Sequence, residues 1–119
     1  MSDYRTARHT ALLVALMLKR SGKHRIRFSD KTLKRLSDRD RLRSAFIVEV
    51  QQESMNVGIV LVELNRGGFG AMWAKPLEGA ETVTARNLLP RDERKSLTER
   101  KIIAELDLPS VEDEDDDED

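Results

Sequence analysis

Arginine and lysine side chains are concentrated in the first half of the chain. Residues 1–48 contain 13 Lys and Arg but 4 Asp and Glu, a net charge of +9, whereas residues 49–111 carry a net charge of −2. Guanidinium and ammonium groups neutralise phosphate, and an arginine can also donate two parallel hydrogen bonds to the edge of a guanine. The chemistry that this distribution favours is the binding of a polyanion such as double-stranded DNA.

The densest group of such side chains follows residue 37. We predict a helix over residues 39–55, because Ser37 and Asp40 have the spacing of a capping box, with Asp in place of the usual Glu. At about 100° per residue, Phe46 and Val50 face the core, while the opposite face starts cationic and continues with hydrogen-bonding side chains. A helix of this width fits the major groove of DNA. The residues that we predict to contact DNA from this helix are Arg39, Arg41, Arg43, Ser44 and Gln51.

Two alternatives stay open for these side chains. The positive end of a helix and its free N–H groups attract phosphate, so Arg39 could bind the DNA backbone instead of a base. The arginines could equally form a solvated face that pairs with Asp38 and Asp40.

Three further groups of cations are predicted to contact phosphate or the minor groove. Each group also has a plainer explanation, because basic side chains on an edge strand discourage pairing with other strands, and any tight hairpin favours Asn and Gly. The cations concerned are Lys31, Lys34 and Arg35 on a predicted short helix, Arg25 and Arg27 on a predicted edge strand, and Arg66 in a predicted turn.

The elements that would position these residues follow from local patterns. An apolar stretch over residues 6–20 predicts a buried helix that Ser21 and Gly22 end. A polar–apolar alternation predicts a strand over residues 25–28, and Ser29 or Asp30 can cap a short helix through Leu36. The remaining predicted elements are strands over residues 59–64 and 69–74, joined by a turn at residues 65–68, and a helix that starts near Pro90 or Ser96 and ends near Leu106.

In this order of elements, residues 6–75 resemble the winged helix-turn-helix superfamily. The resemblance is one of pattern, and it departs from the common form in a short second helix, a following turn without glycine and a long third helix. It implies an α+β fold with a three-helix core and a β-hairpin wing. The residues that follow predict a C-terminal helix and a disordered acidic tail. Families of this shape are mostly transcriptional regulators or accessory DNA-binding proteins, often dimeric, so a homodimer is part of the expectation.

The predicted domain organisation places a winged-helix domain in residues 1–80, a C-terminal extension in residues 81–108 and an acidic tail in residues 109–119. All of the last eight residues, 112–119, are Asp or Glu, which lowers the formal net charge of the whole chain to −1. Such a run of like charges cannot form a core. The tail could compete with DNA for the basic surface, recruit a basic protein partner, or only increase solubility.

The composition argues against an enzyme and against a cofactor or metal site. The chain has no cysteine, and its two histidines, His9 and His24, lie far apart without carboxylates at a ligand spacing. No phosphate-binding loop or nucleophile elbow is present, and aromatic residues are only 4% of the chain, too few for a platform that stacks single-stranded bases. The apolar run over residues 11–18 is too short to span a membrane, so we expect a cytoplasmic protein.

The sequence therefore predicts a non-enzymatic protein that binds double-stranded DNA as a transcriptional regulator or accessory factor. The alternative is a protein–protein interaction module on a winged-helix scaffold, with Ile47 and Val48 on its contact face and an acidic tail that recruits a basic partner. A protein that mimics DNA through its tail is disfavoured, because the rest of the chain is basic.

Overall fold

Seven helices and three strands make up the part of the chain that the computed structural model describes, residues 4–109. They belong to two units, one within Met1–Ala80 and one within Glu81–Asp119. The first unit has α+β architecture and the predicted order of elements. These are α1 (Ala7–Ser21), β1 (Arg25–Phe28), α2 (Asp30–Ser37), α3 (Ser44–Asn56), β2 (Ile59–Glu63), β3 (Phe69–Trp73) and α4 (Lys75–Glu78).

The three strands form one antiparallel sheet in the order β1-β3-β2. β1 is an edge strand, as the sequence predicted, and β2 and β3 form the predicted hairpin. Because side chains alternate along a strand, Ile59 and Leu61 of β2 and Phe69 and Ala71 of β3 point to one face and are buried. The helices cover that face, and the other face of the sheet is left open.

The core lies between this sheet face and the first three helices. Val14 and Leu18 of α1, Leu33 of α2 and Val50 of α3 are fully buried in one cluster with the inner side chains of the sheet. Removal of such side chains from water is the main favourable contribution to folding. The same cluster fixes the position of α2, which carries Lys31, Lys34 and Arg35, against the strands.

Local signals set the ends of α1 and α2. The Thr6 hydroxyl accepts a hydrogen bond from the His9 N–H, and Gly22 ends α1 in the left-handed conformation, φ +71°. The Ser29 hydroxyl caps α2 by accepting from the Thr32 N–H. These ends agree with the prediction within one residue.

The predicted start of the third helix is wrong. α3 begins at Ser44, not near Arg39, and Ser37 is the last residue of α2 instead of a cap for the next helix. The buried Ser37 hydroxyl donates to the Leu33 carbonyl at 2.9 Å, so it cannot serve an N-terminus. Asp38 then adopts the left-handed conformation, φ +57°, which ends α2. Arg39 and Arg41 are therefore outside any helix, and Arg43 is the N-cap residue of α3.

The second unit contains three short helices in place of the one predicted. They are α5 (Ala85–Leu88), α6 (Arg91–Ser96) and α7 (Glu99–Leu106). The break arises because Thr98, not Ser96, caps α7: its hydroxyl accepts from the Lys101 N–H, while Ser96 donates back to the Glu93 carbonyl. No residue between 81 and 109 is buried. The predicted acidic tail lies outside the described residues, apart from Pro109.

A search of residues 4–109 finds no helix with the length and hydropathy that crossing a bilayer requires.

Candidate nucleic-acid interface

Three cations from three elements lie around one depression of the first unit. Arg27 of β1, Lys31 of α2 and Arg66 of the hairpin turn line this space, which has a volume of about 590 Å³. Gly67 and Gly68 of the turn line it as well. Residues that are 39 positions apart in sequence are thus brought to one place by the packing of the hairpin turn against the β1–α2 junction.

The hairpin turn is held at this junction by contacts of its backbone. The Asp30 carboxylate accepts a hydrogen bond from the Gly68 N–H at 3.2 Å. Gly68 has φ +81°, and a Cβ atom there would lie 2.7 Å from the Phe28 carbonyl oxygen. Only glycine combines this conformation with so close an approach. Below the turn, the rings of Phe28 and Phe69 stack with centroids 5.8 Å apart. Arg66 is therefore carried by a turn that is packed on the domain.

Two further depressions each share one cation with this one. Arg27 also lines a neighbouring depression with Arg25, and Lys31 lines another with Lys34 and Arg35. We call the cations that line these three depressions, apart from Arg39, the basic track. It consists of Arg25, Arg27, Lys31, Lys34, Arg35 and Arg66.

The cations of the basic track are available to a ligand. Five of the six side chains are exposed, and Lys34 is half-buried. None of them forms an ion pair with a carboxylate within residues 4–109. The single ion pair in this range joins Arg8 to Glu53. Asp38 and Asp40 line the depression beyond Arg35, so the positive charge ends there.

Arg39 also lines the depression beyond Arg35, but its guanidinium is engaged by partners within the fold. Its guanidinium carbon lies 3.7 Å from the centroid of the Phe46 ring, and its Nη2 donates to the Arg5 carbonyl at 3.0 Å. The Arg5 guanidinium in turn donates to the carbonyls of Arg35 and Leu36 at the end of α2. Both arginines join the N-terminal segment to the α2–α3 connection. The structure thus gives Arg39 a packing role, and its contact with DNA stays a prediction.

Gln51 is also turned inwards, because its side-chain amide donates to the Leu61 carbonyl of β2 at 3.4 Å. The prediction that it lies on the outer face of α3 is wrong. Arg41, Arg43 and Ser44 are exposed before and at the start of α3. These three residues do not line the depressions that hold the cations of the basic track.

α3 itself is not a basic helix. Between Ser44 and Asn56 its charged residues are Glu49 and Glu53, and it has no Lys or Arg. Val48 and Met55 are exposed on it, at 48% and 56% of their full accessibility. The basic track therefore follows β1, α2 and the hairpin turn, and α3 contributes no cation to it.

The residues that sequence reasoning missed are those that build the interface without touching a ligand. Asp30 was considered as a helix cap, but its carboxylate holds the hairpin turn through Gly68. Arg5 was not considered, although it satisfies the carbonyls that end α2. No local signal marks either role, since the partners lie more than 29 residues away in sequence.

Within residues 4–109, no three His, Asp or Glu side chains are grouped so that they could hold a metal ion. His9 and His24 are both exposed.

Comparison of the chain with protein-family models, with curated proteins and with solved structures yields no match.

Proposed function

We propose that this chain is a non-enzymatic DNA-binding protein of winged helix-turn-helix architecture, which holds double-stranded DNA through the basic track. The observation that supports the proposal most directly is the convergence of Arg27, Lys31 and Arg66 from a strand, a helix and a turn. A cluster of unpaired cations from separate elements costs electrostatic free energy in the free protein, which a polyanion relieves.

The arrangement of elements supports the architectural part of the proposal. A helix, an edge strand, two further helices and a hairpin are packed around one core, with the hairpin turn beside the N-terminal end of α2. In this proposal the hairpin is the wing, and Arg66 contacts phosphate or the minor groove.

The position of the charge suggests that phosphate contacts dominate. α3 has no cation to offer a guanine, so we do not assign it the reading of the major groove. Arg41, Arg43 and Ser44, at its N-terminal end, remain the side chains that could reach a base edge or phosphate near α3. Contacts to phosphate position a protein on DNA with little regard for sequence. This favours an accessory factor over a regulator that recognises one operator.

A charge-reversal experiment tests the proposal. The double variant Lys31→Glu/Arg66→Glu should lower the affinity for a random DNA duplex at low salt by roughly two orders of magnitude, because two phosphate contacts are lost and two repulsive charges are gained. Lys75→Glu, an exposed single reversal outside the basic track, should have a small effect. Fluorescence anisotropy with a labelled duplex measures both. Equal affinities for the double variant and the wild type would refute the proposal.

The salt dependence gives an independent measure. If all six cations of the basic track contact phosphate, the logarithm of the association constant should fall with the logarithm of salt concentration with a slope of about −5. Lys31→Glu/Arg66→Glu should reduce the magnitude of that slope by about two. A slope near zero would show that phosphate neutralisation does not drive binding.

The alternative function, a protein-interaction module, is supported by two exposed apolar side chains of α3. Ile47, one of the two residues named for it from the sequence, is half-buried against the core, whereas Val48 and Met55 are exposed. Val48→Ser with Met55→Ser leaves duplex binding unchanged if the basic track is the functional surface. The same variant abolishes partner binding if α3 is the contact.

A further inference from the structure

The open face of the sheet carries a second site, distinct from the Arg27–Lys31–Arg66 depression. Two rows of side chains cross this face, because Met72 of the middle strand pairs with Val60 and Arg25, while Gly70 pairs with Val62 and Arg27. In the second row the middle strand has no side chain at all. Around Gly70 lies a depression of about 460 Å³. We call this depression the Gly70 pit.

The glycine in this pit is not required by the backbone. Its φ is not positive, and a Cβ atom at Gly70 would come no closer than 3.6 Å to any neighbouring atom, an ordinary contact distance. Glycine in the interior of a strand destabilises a protein relative to alanine, because it loses more backbone freedom on folding. Glycine in a strand interior often marks a place where a ligand or another chain approaches the backbone closely.

The lining of the pit defines what it can hold. Its floor and far wall are aliphatic, with Val60, Val62, Leu64 and Met72, and Val62 keeps 47% of its accessibility. Arg25 and Arg27 form the opposite rim, and neither pairs with a carboxylate within residues 4–109. The described lining has no aromatic ring, hydroxyl or side-chain amide. It therefore offers an apolar contact beside two guanidinium groups.

We propose that the Gly70 pit binds an acidic, aliphatic peptide segment of a partner protein. One aliphatic side chain of that segment lies over Gly70, and flanking carboxylates pair with Arg25 and Arg27, whose planar groups can donate two hydrogen bonds to one carboxylate. A single-stranded nucleic acid fits this surface less well, because its bases find no ring on which to stack. A symmetric contact with a second copy fits less well too, because it would bring Arg25 and Arg27 of both copies, and so like charges, into one interface.

The pit shares Arg25 and Arg27 with the basic track, which has a functional consequence. If the chain also binds DNA as proposed, the acidic peptide and the duplex compete for these two arginines. The peptide site does not depend on that function, since Lys31 and Arg66 belong to the DNA surface alone.

The test is selection of peptides from a random 12-residue display library on the full chain. We expect enrichment of sequences that combine aliphatic residues with Asp or Glu. A synthetic peptide with a selected sequence should bind Gly70→Val with roughly tenfold or more lower affinity than the wild type, because valine fills the pit. It should bind normally to Lys31→Glu/Arg66→Glu, while Gly70→Val should still bind the DNA duplex. The two proposals can thus fail separately.

Two further variants guard against a folding artefact. Gly70→Ala should fold with a melting temperature no lower than that of the wild type and bind the selected peptide more weakly. Arg25→Glu/Arg27→Glu should change the selected peptides from acidic to basic. The proposal is overturned if no peptide is enriched, if the enriched peptides lack carboxylates, or if folded Gly70→Val binds them as tightly as the wild type does. Loss of self-association or of duplex binding on Gly70→Val would assign the pit to a second copy or to DNA, and would also overturn it.

Discussion

Arg39 and Arg41 show how two arginines of one segment take different roles. Arg39 lies over the Phe46 ring and donates to the Arg5 carbonyl, whereas Arg41 is exposed with neither kind of contact among the described residues. A guanidinium can cover an aromatic face and satisfy a carbonyl at the same time because it is planar and weakly hydrated. The residue type alone therefore does not separate a ligand contact from a packing contact.

We predict that Arg39→Ala lowers the free energy of unfolding by about 2–3 kcal/mol, because it removes a cation–π contact and leaves the Arg5 carbonyl without its donor. Arg41→Ala, the matched control in the same connection, should change it by less than about 0.5 kcal/mol. Urea denaturation followed by circular dichroism measures both. Equal effects of the two substitutions would contradict the packing role of Arg39.

The hairpin turn and α2 depend on each other, because Gly68 joins them. We predict that Gly68→Ala destabilises the protein by about 2 kcal/mol or more, since the new methyl group would collide with the Phe28 carbonyl and the backbone conformation is unfavourable for alanine. It should also weaken duplex binding in protein that remains folded, because Arg66 loses its place beside Arg27 and Lys31.

Gly70→Ala is the control for this prediction, as Gly70 has space for a methyl group and an ordinary φ. It should leave stability equal or slightly higher, because alanine loses less backbone entropy on folding. Thermal denaturation of the two variants decides the matter. If Gly68→Ala were as stable as Gly70→Ala, the packed turn would not be what holds the basic track together.

The sequence predicted those elements whose signals are local. Thr6, Gly22 and Ser29 mark helix ends through contacts within four residues, and the glycines at 67 and 68 mark the turn. The start of α3 was mispredicted because Ser37 and Asp40 imitate a helix start. In the folded chain Ser37 is buried in α2 and Arg39 is held by Arg5, 34 residues away. A pattern read within one segment cannot show such a contact.

The same limit applies to the candidate site. Each cation of the basic track was named from the sequence, but the predicted centre of binding was α3, which lacks Lys and Arg from Ser44 onwards. The shift to α2 and the hairpin turn follows from two tertiary facts. The side chains of Arg39 and Gln51 donate hydrogen bonds to backbone carbonyls within the fold, and the Gly68 N–H donates to the Asp30 carboxylate.

On the scale of the whole molecule, charge is divided along the chain, with +9 in residues 1–48 and eight carboxylates in residues 112–119. A polyanionic segment and a DNA duplex can compete for the same cations, and salt weakens both interactions. We predict that deletion of residues 112–119 tightens binding to a random duplex several-fold at about 50 mM salt. The gain should shrink at about 300 mM salt, where surface charges are screened.

A tail of eight Gly and Ser residues in place of the acidic run separates charge from chain length. If competition for the basic track is the cause, the neutral tail should behave like the deletion, and Lys31→Glu/Arg66→Glu should make the deletion lose its effect. Anisotropy titrations of the four proteins against one labelled duplex provide the comparison. Unchanged affinity on deletion, or a neutral tail that inhibits as strongly as the acidic one, would exclude competition and leave recruitment of a basic protein or solubility as the role of these carboxylates.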